Sequence, residues 1–205
     1  MNRVLVISPH PDDEAIGCGG TLRTHVERGD TVHAVFLTSG ERGGHGRPPA
    51  DTARLREREA VAAATVLGLA AVEFWRGPDG ALRATREGVG RLRAMLERWQ
   101  PAVVYVTHAR EMHPDHRAAA RMVRLATADL PHVTALAYEV WTPVERIDEI
   151  VDISAHVAAK REAIRAYRSQ CAAMRFDEAA LALNRYRGEM HCWPGGDYAE
   201  SFTRL

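Results

Sequence analysis

Val4-Leu5-Val6-Ile7-Ser8-Pro9-His10-Pro11-Asp12-Asp13-Glu14 is the stretch on which the fold turns. Its first half is an apolar, β-branched run without polar alternation, the pattern of a parallel strand buried on both faces. Its second half is a tight turn carrying one His and three acids. Open α/β sheets place ligands beyond the carboxyl ends of their strands, so the turn stands where a site is expected. Pro9 and Pro11 stiffen the exit and keep Ser8 and His10 out of the αR region. The helix dipole favours acids at a helix start, and a capped helix accounts for Glu14. It does not account for His10-x-x-Asp13, because adjacent carboxylates repel unless a cation or a shared proton relieves them. A metal ion is the obvious cation.

Outward from this turn, strands and helices alternate. Glu14 to Arg28 reads as a helix stopped by Gly29-Asp30, and Thr31 to Ser39 as a second strand. A Gly/Pro/Arg loop, Gly40 to Pro49, follows at the same sheet edge as a probable rim. Asp51 is expected to N-cap a helix through Leu67, ended by Gly68. Arg54, Arg56 and Arg58 on its first turns read as a solvated face paired with Glu59, or as an Arg aimed at substrate hydroxyls. Ala71 to Arg76 is a third strand, leading into Gly77-Pro78-Asp79-Gly80. Thr85 to Gln100 is an amphipathic helix and Ala102 to Thr107 a fourth strand. Strands are expected again at Thr134 to Trp141 and Ile147 to Ile153, and helices at Pro114 to Leu130, Ala155 to Arg168 and Asp177 to Tyr186. A loop, Gly188 to Asp197, precedes Tyr198-Ala199-Glu200-Ser201-Phe202. The succession predicts an α/β, Rossmann-like fold, residues 1–205 as a single domain, with a mostly parallel sheet and helices on both faces. Gly17, Gly19 and Gly20 match a dinucleotide-binding turn only weakly, and the three acids would oppose a pyrophosphate. Close helix–sheet packing is the plainer account of these small residues.

The 205 residues suffice for one sizeable core. Lys+Arg and Asp+Glu are both 27, a balance that gives no electrostatic claim on nucleic acid or an anionic membrane. Too few apolar residues precede Pro9 for a signal h-region, and the Ala-rich run from Ala60 to Val72 is too short to span a bilayer. Three scattered cysteines, Cys18, Cys171 and Cys192, suit free thiols in a cytoplasmic protein.

A second informative stretch, His108-Ala109-Arg110-Glu111-Met112-His113-Pro114-Asp115-His116, follows the fourth strand. Pro114 suits the first position of a helix, which sets His113 and His116 one turn apart. Strands one and four can be neighbours in a doubly wound sheet, so both turns would face one crevice. Together they offer His10, Asp13 and His116, two imidazoles and a carboxylate with an open fourth position, the composition of a catalytic zinc site. Asp12 is then free to act as general base, and His113 to donate to an oxyanion or to the leaving nitrogen. Asp115 can orient an imidazole.

These residues resemble the PIG-L/LmbE-like zinc deacetylases. The resemblance is carried by Pro9-His10-Pro11-Asp12-Asp13-Glu14, Thr38-Ser39-Gly40-Glu41, Arg56-x-x-Glu59 with Leu67-Gly68, His113-Pro114-Asp115-His116 and Tyr198 to Phe202. Tyr138-Glu139-Val140-Trp141-Thr142-Pro143 and Tyr167-x-Ser169-Gln170 look most like the bacillithiol-type branch. The resemblance implies one zinc ion per chain on His10, Asp13 and His116, with another divalent ion such as Fe2+ as a substitute. It implies Asp12 as base, His113 as oxyanion stabiliser oriented by Asp115, and Arg56, Asp79, Glu41 and Arg42 as contacts to a small amino-sugar substrate. It also allows a homo-oligomer. Glu111 stands where the mycothiol branch has a mobile Tyr, so that residue's part in an oxyanion hole is missing or filled from elsewhere. The expected activity is removal of the N-acetyl group from a GlcNAc-type amino sugar or its conjugate. The rivals are an amidase of the same family acting on a thiol conjugate or natural-product intermediate, a nucleotide-binding module, and a structural zinc protein.

Overall fold

The structure, a computed structural model, describes residues 1–192 and 196–205. Seven strands join one sheet: β1 (Arg3–Ser8), β2 (Thr31–Thr38), β3 (Ala71–Gly77), β4 (Val103–Thr107), β5 (Thr134–Tyr138), β6 (Glu149–Asp152) and β7 (Ala199–Arg204). Their order is β3-β2-β1-β4-β5-β7-β6. The first five pair in parallel, and β7 runs antiparallel between β5 and β6. The helices are α1 (Asp13–Glu27), α2 (Pro49–Leu67), α3 (Arg86–Trp99), α4 (Pro114–Thr127), α5 (Val157–Ala166), α6 (Arg168–Cys171) and α7 (Phe176–His191).

Period-two alternation sends strand residues to two opposite faces, and both are covered. Val4, Val6 and Phe36 face a core closed by Leu22 of α1, Leu67 of α2 and Ile164 of α5. Leu5, Ile7, Val35 and Val106 face the other, closed by Leu92 and Leu96 of α3 and Val123 of α4. The chain leaves β1 toward β2 and leaves β4 toward β5, on opposite sides of the β1–β4 pair. Their outgoing loops diverge there and open a crevice. The expected close packing of α1 is real: a Cβ on Gly17 would fall 2.1 Å from Tyr138 Cδ2.

Helix α1 bends at Cys18 (φ −142°, ψ 17°). A side chain inserted into the helical ladder is one recognised cause of such a bend. Here Glu200 of β7 accepts the N–H groups of Gly20 and Thr21 at 2.9 and 2.7 Å. Its charge is met by buried Lys160, whose Nζ donates to Glu200 at 2.5 Å and to Ile16 O at 2.7 Å.

Three expectations change. Helix α2 begins at Pro49, earlier than expected. Pro needs no N–H partner in a first turn, and Asp51 pairs with Arg54 instead of capping. Strand β5 stops at Tyr138 because the next amides are taken elsewhere: Glu111 Oε1 accepts the N–H groups of Val140, Trp141 and Thr142 at 2.8, 3.0 and 3.2 Å. Helix α7 continues through His191, and residues 193–195 of the expected loop lie outside the described residues. Among the described residues, no helix is long and apolar enough to cross a membrane.

Candidate active site

The turn after β1 is held in a conformation few L residues adopt: Asp12 has φ 133°. Such a residue persists only where its surroundings over-determine it. The Asp12 N–H donates to Glu14 Oε2 at 3.2 Å, and Tyr167 OH donates to Glu14 Oε1. Arg56 Nη2 donates to Pro11 O at 2.6 Å and to Asp12 Oδ2 at 3.0 Å, while its Nη1 donates to Gly40 O at 3.1 Å. A Cβ on Gly40, which has φ 61°, would fall 2.3 Å from that Nη1. Arg56 is therefore buried rather than part of a solvated face, and Glu59 serves another partner, accepting the N–H and Oγ–H of Ser169 at 2.8 and 2.6 Å. The Asp12 carboxylate makes no capping bond to α1. Burial pushes it up to about 7, against the pull of Arg56 and with a further push from the charge on Asp13.

Beside Asp12, side chains from β1's turn and α4 converge. His10 Nδ1 lies 3.2 Å from Asp13 Oδ2 and 3.3 Å from His116 Nε2, and His116 Nε2 lies 3.2 Å from Asp13 Oδ2. Donors of a tetrahedral metal at about 2.0–2.2 Å stand roughly 3.3–3.6 Å apart, so these three atoms are close to ligand spacing. The far nitrogen of His10 meets carboxylates, as in metal-binding imidazoles, while that of His116 faces one from beyond hydrogen-bond distance, both atoms being buried without a partner. His10 Nε2 lies 3.3 Å from Asp115 Oδ2 and 3.2 Å from Asp79 Oδ1; His116 Nδ1 lies 3.6 Å from Glu111 Oε2. Two other groupings, His10 with His113 and His116 and His10 with Asp79 and Asp115, also bring their donor atoms within 4.8 Å of one another. Burial disfavours the His116 imidazolium, yet the Asp13 carboxylate outweighs it and raises the ring to about 9. Burial would raise Asp13, but His116 and His10 hold it well below the usual carboxylate range.

His113 caps α4, with its Nδ1 accepting the Asp115 N–H at 3.2 Å. That bond leaves the ring proton on Nε2. Burial, then the neighbouring His10 and His116, hold His113 below the usual histidine range. The backbone of Asp115, not its carboxylate, thus orients His113. The carboxylate accepts from Gly80 and Leu82 N–H at 2.6 and 3.0 Å and so fixes the Asp79 turn against His10. Asp115 thus meets His10 through its carboxylate and His113 through its backbone N–H.

These groups line a cleft of about 340 Å³. One wall is polar, with His10, Asp12, Arg42, Arg56 and Asp79; the other is apolar, with Val140, Trp141, Met174 and Phe176. Arg42 and His45 lie on the rim. Glu41 does not line the cleft: its Oε1 accepts the Asp79 N–H at 2.9 Å, and Asp79 Oδ2 accepts the Arg42 N–H at 2.8 Å. Sequence reasoning missed Glu111 as a neighbour of His116, Glu14 and Tyr167 as supports of Asp12, and the apolar wall. Glu111 sits five residues before His116, a spacing with no helical signature. Tyr167 lies 153 residues from Glu14, and the apolar wall gathers Val140, Trp141, Met174 and Phe176 from separate stretches.

The PIG-L family model, described as GlcNAc-PI de-N-acetylase, matches residues 5–127. A probable N-acetyl-alpha-D-glucosaminyl L-malate deacetylase 2 of Bacillus anthracis is 30% identical over 186 residues, covering 82% of this chain and 81% of its own length. The N,N'-diacetylchitobiose deacetylase of Pyrococcus horikoshii superposes with a TM-score of 0.88 at 26% identity, over 100% of this chain and 84% of that one. The 4-carboxy-2-hydroxymuconate hydratase of Pseudomonas putida KT2440 gives the same TM-score of 0.88 at 26% identity, over 100% and 96%. The fold is thus shared by more than one chemistry. With the match extending from β1 through α4, which carry both histidine turns, this chain belongs to the PIG-L family.

Proposed function

We propose that this chain is a metal-dependent N-deacetylase that hydrolyses the N-acetyl group of a GlcNAc-type amino sugar, releasing acetate and the free amine. The observation that carries the reading is the close triangle of His10 Nδ1, Asp13 Oδ2 and His116 Nε2 with the buried Asp12 carboxylate beside it. His10, Asp13 and His116 would hold the ion, and two imidazoles with one carboxylate suit zinc. When bound, zinc supplies a Lewis acid and a water of lowered pKa.

Asp12 does the proton work. Its buried carboxylate takes a proton as a base and returns it as an acid. Arg56 and Glu14 hold it at the place where that transfer occurs. His113, with its proton on Nε2, donates a hydrogen bond to the carbonyl oxygen as negative charge develops there. Asp79 and Arg42 line the polar wall and suit sugar hydroxyls; Arg42 also suits an anionic aglycone. Glu41 and Asp115 act on the substrate only through the turn that presents Asp79.

A free-amine assay over GlcNAc and a carboxylate-bearing GlcNAc glycoside tests the proposal. Release of amine that stops with chelation and returns with zinc is the expected result. A preference for the carboxylate that weakens with salt assigns Arg42 to the aglycone. Hydration of an unsaturated carboxylate with no amine released from either sugar overturns the reading.

A further inference from the structure

Behind the apolar wall lies a second cavity of about 200 Å³. It shares Ile16, Val140, Trp141, Met174 and Phe176 with the main cleft, so the two spaces adjoin through that wall. The rest of its lining includes Gly17 of α1 and Ala179, Ala180 and Leu183 of α7. The two polar side chains that reach it are engaged elsewhere. Glu139 pairs with Arg187 and accepts the Val144 N–H at 2.7 Å, and Asn184 Nδ2 donates to Ala199 O at 2.9 Å, leaving only Asn184 Oδ1 without a partner. Two of the shared residues are exposed: Trp141 is 41% and Met174 49% accessible, although both are large and apolar. Trp141 meets the ring of Phe176 edge-on at 5.6 Å.

An amide has two sides, the amine and the acyl group. The polar wall offers partners to a sugar on the amine side. The apolar residues offer a sugar hydroxyl no partner and suit a hydrocarbon acyl group instead. From this juxtaposition we propose that the second cavity is an acyl subsite, and that the chain deacylates amino sugars whose N-acyl group is several carbons longer than acetyl. The proposal rests on the amide-hydrolase reading above and adds the acyl class to it. A cavity of about 200 Å³ leaves room for such a chain. The chemistry is unchanged in balance. Water adds its hydroxyl to the acyl carbon, the C–N bond breaks, and the nitrogen leaves with a proton as the free amine.

The test compares kcat/KM of the metal-loaded enzyme for glucosamine carrying N-acetyl, N-butyryl and N-hexanoyl groups, with phenyl N-acetylglucosaminide as a further arm. Each methylene buried is worth about fourfold, so hexanoyl is expected to exceed acetyl by on the order of tenfold or more. Trp141→Ala, which removes a side chain lining both spaces, and Ala179→Phe, which fills the cavity from an exposed position on α7, should each flatten that ratio. Equal values along the acyl series overturn the subsite and leave the deacetylase reading standing. So does a gain confined to the phenyl glycoside, which gives the cavity to the aglycone. If no sugar is turned over, the hydrolase reading itself fails. Binding of the same series to the metal-loaded Asp12→Asn variant then decides the cavity: tighter binding of hexanoyl keeps it as an acyl pocket, and equal binding removes it.

Discussion

On the wall of the cleft that carries Asp12, the reacting groups are tied to partners inside the protein. On the wall that carries Trp141, the large side chains meet one another and solvent. Asp12 is held through its N–H, its carboxylate and the carbonyl before it, by Glu14 and Arg56, which Tyr167 and Gly40 hold in turn. The Trp141 and Met174 residues are hydrogen-bonded through their backbones, while their side chains only pack, and each leaves two-fifths or more of its surface accessible. A carboxylate that must meet one proton needs its geometry fixed to a fraction of an ångström. A wall that senses only apolar bulk needs shape, and it can change without disturbing the chemistry opposite.

Five substitutions grade this contrast. Asp12→Asn should lower turnover about 10²–10⁴-fold, the effect of a lost general base, while metal analysis still finds the ion. Asp13→Asn, one residue on, should instead lose the ion, and equal metal loss in the two variants would undo the division between them. The ion should also be held less tightly as pH falls. In its absence the His116 ring carries a proton up to about 9, and that proton must leave before Nε2 can bind. Equilibrium dialysis at pH 6 and pH 8 reads this directly.

Arg56→Leu should come next, costing about 2–5 kcal/mol of stability by leaving the Pro11 and Gly40 carbonyls and Asp12 Oδ2 without their donor. Urea unfolding gives the value, and a loss below about 1 kcal/mol would mean that these acceptors find other partners. Tyr167→Phe removes one donor from buried Glu14 and should cost about 1–3 kcal/mol. It should also lower kcat more than it raises KM, since the loosened group is Asp12 rather than the polar wall. The smallest effect belongs to the other wall. Met174→Ala should stay within about 0.5 kcal/mol of the parent, as exposed substitutions do. A loss as large as that of Tyr167→Phe would erase the difference between the walls.

Much of the polar wall is legible from local sequence. The strand β1 and its turn announce themselves by composition. Two histidines and a carboxylate at strand ends have few structural explanations, and the adjacency of β1 and β4 follows from the alternating βα order. What escapes is what distant residues supply. Nothing near Glu14 points to Tyr167, and nothing near Glu111 says that its carboxylate will take three amides from residues 140–142 and so end β5 early. Arg56 on α2 carries the pattern of a solvated helix, and only Gly40 and the turn after β1 reveal why it is buried. The apolar wall assembles from α1, the chain after β5, and the start of α7, each contributing one or two residues, so no window of sequence contains it. The strand β7 hides for a related reason. Its Glu200 looks like a surface residue until Lys160 is seen beside it.

That pair has a consequence for the order in which the protein is made. Residues 9–14 leave the ribosome early, yet Gly20 and Thr21 of the helix behind them wait for an acceptor that lies 180 and 179 residues further on. A nascent chain shorter than that can build β1 to β5 from nearer neighbours but cannot settle the bend of α1. Closing so long a loop is also slow. Synthesis therefore finishes the reactive turn's scaffold last, and hydrogen exchange at Gly20 and Thr21 should be the clock that reports when it is done.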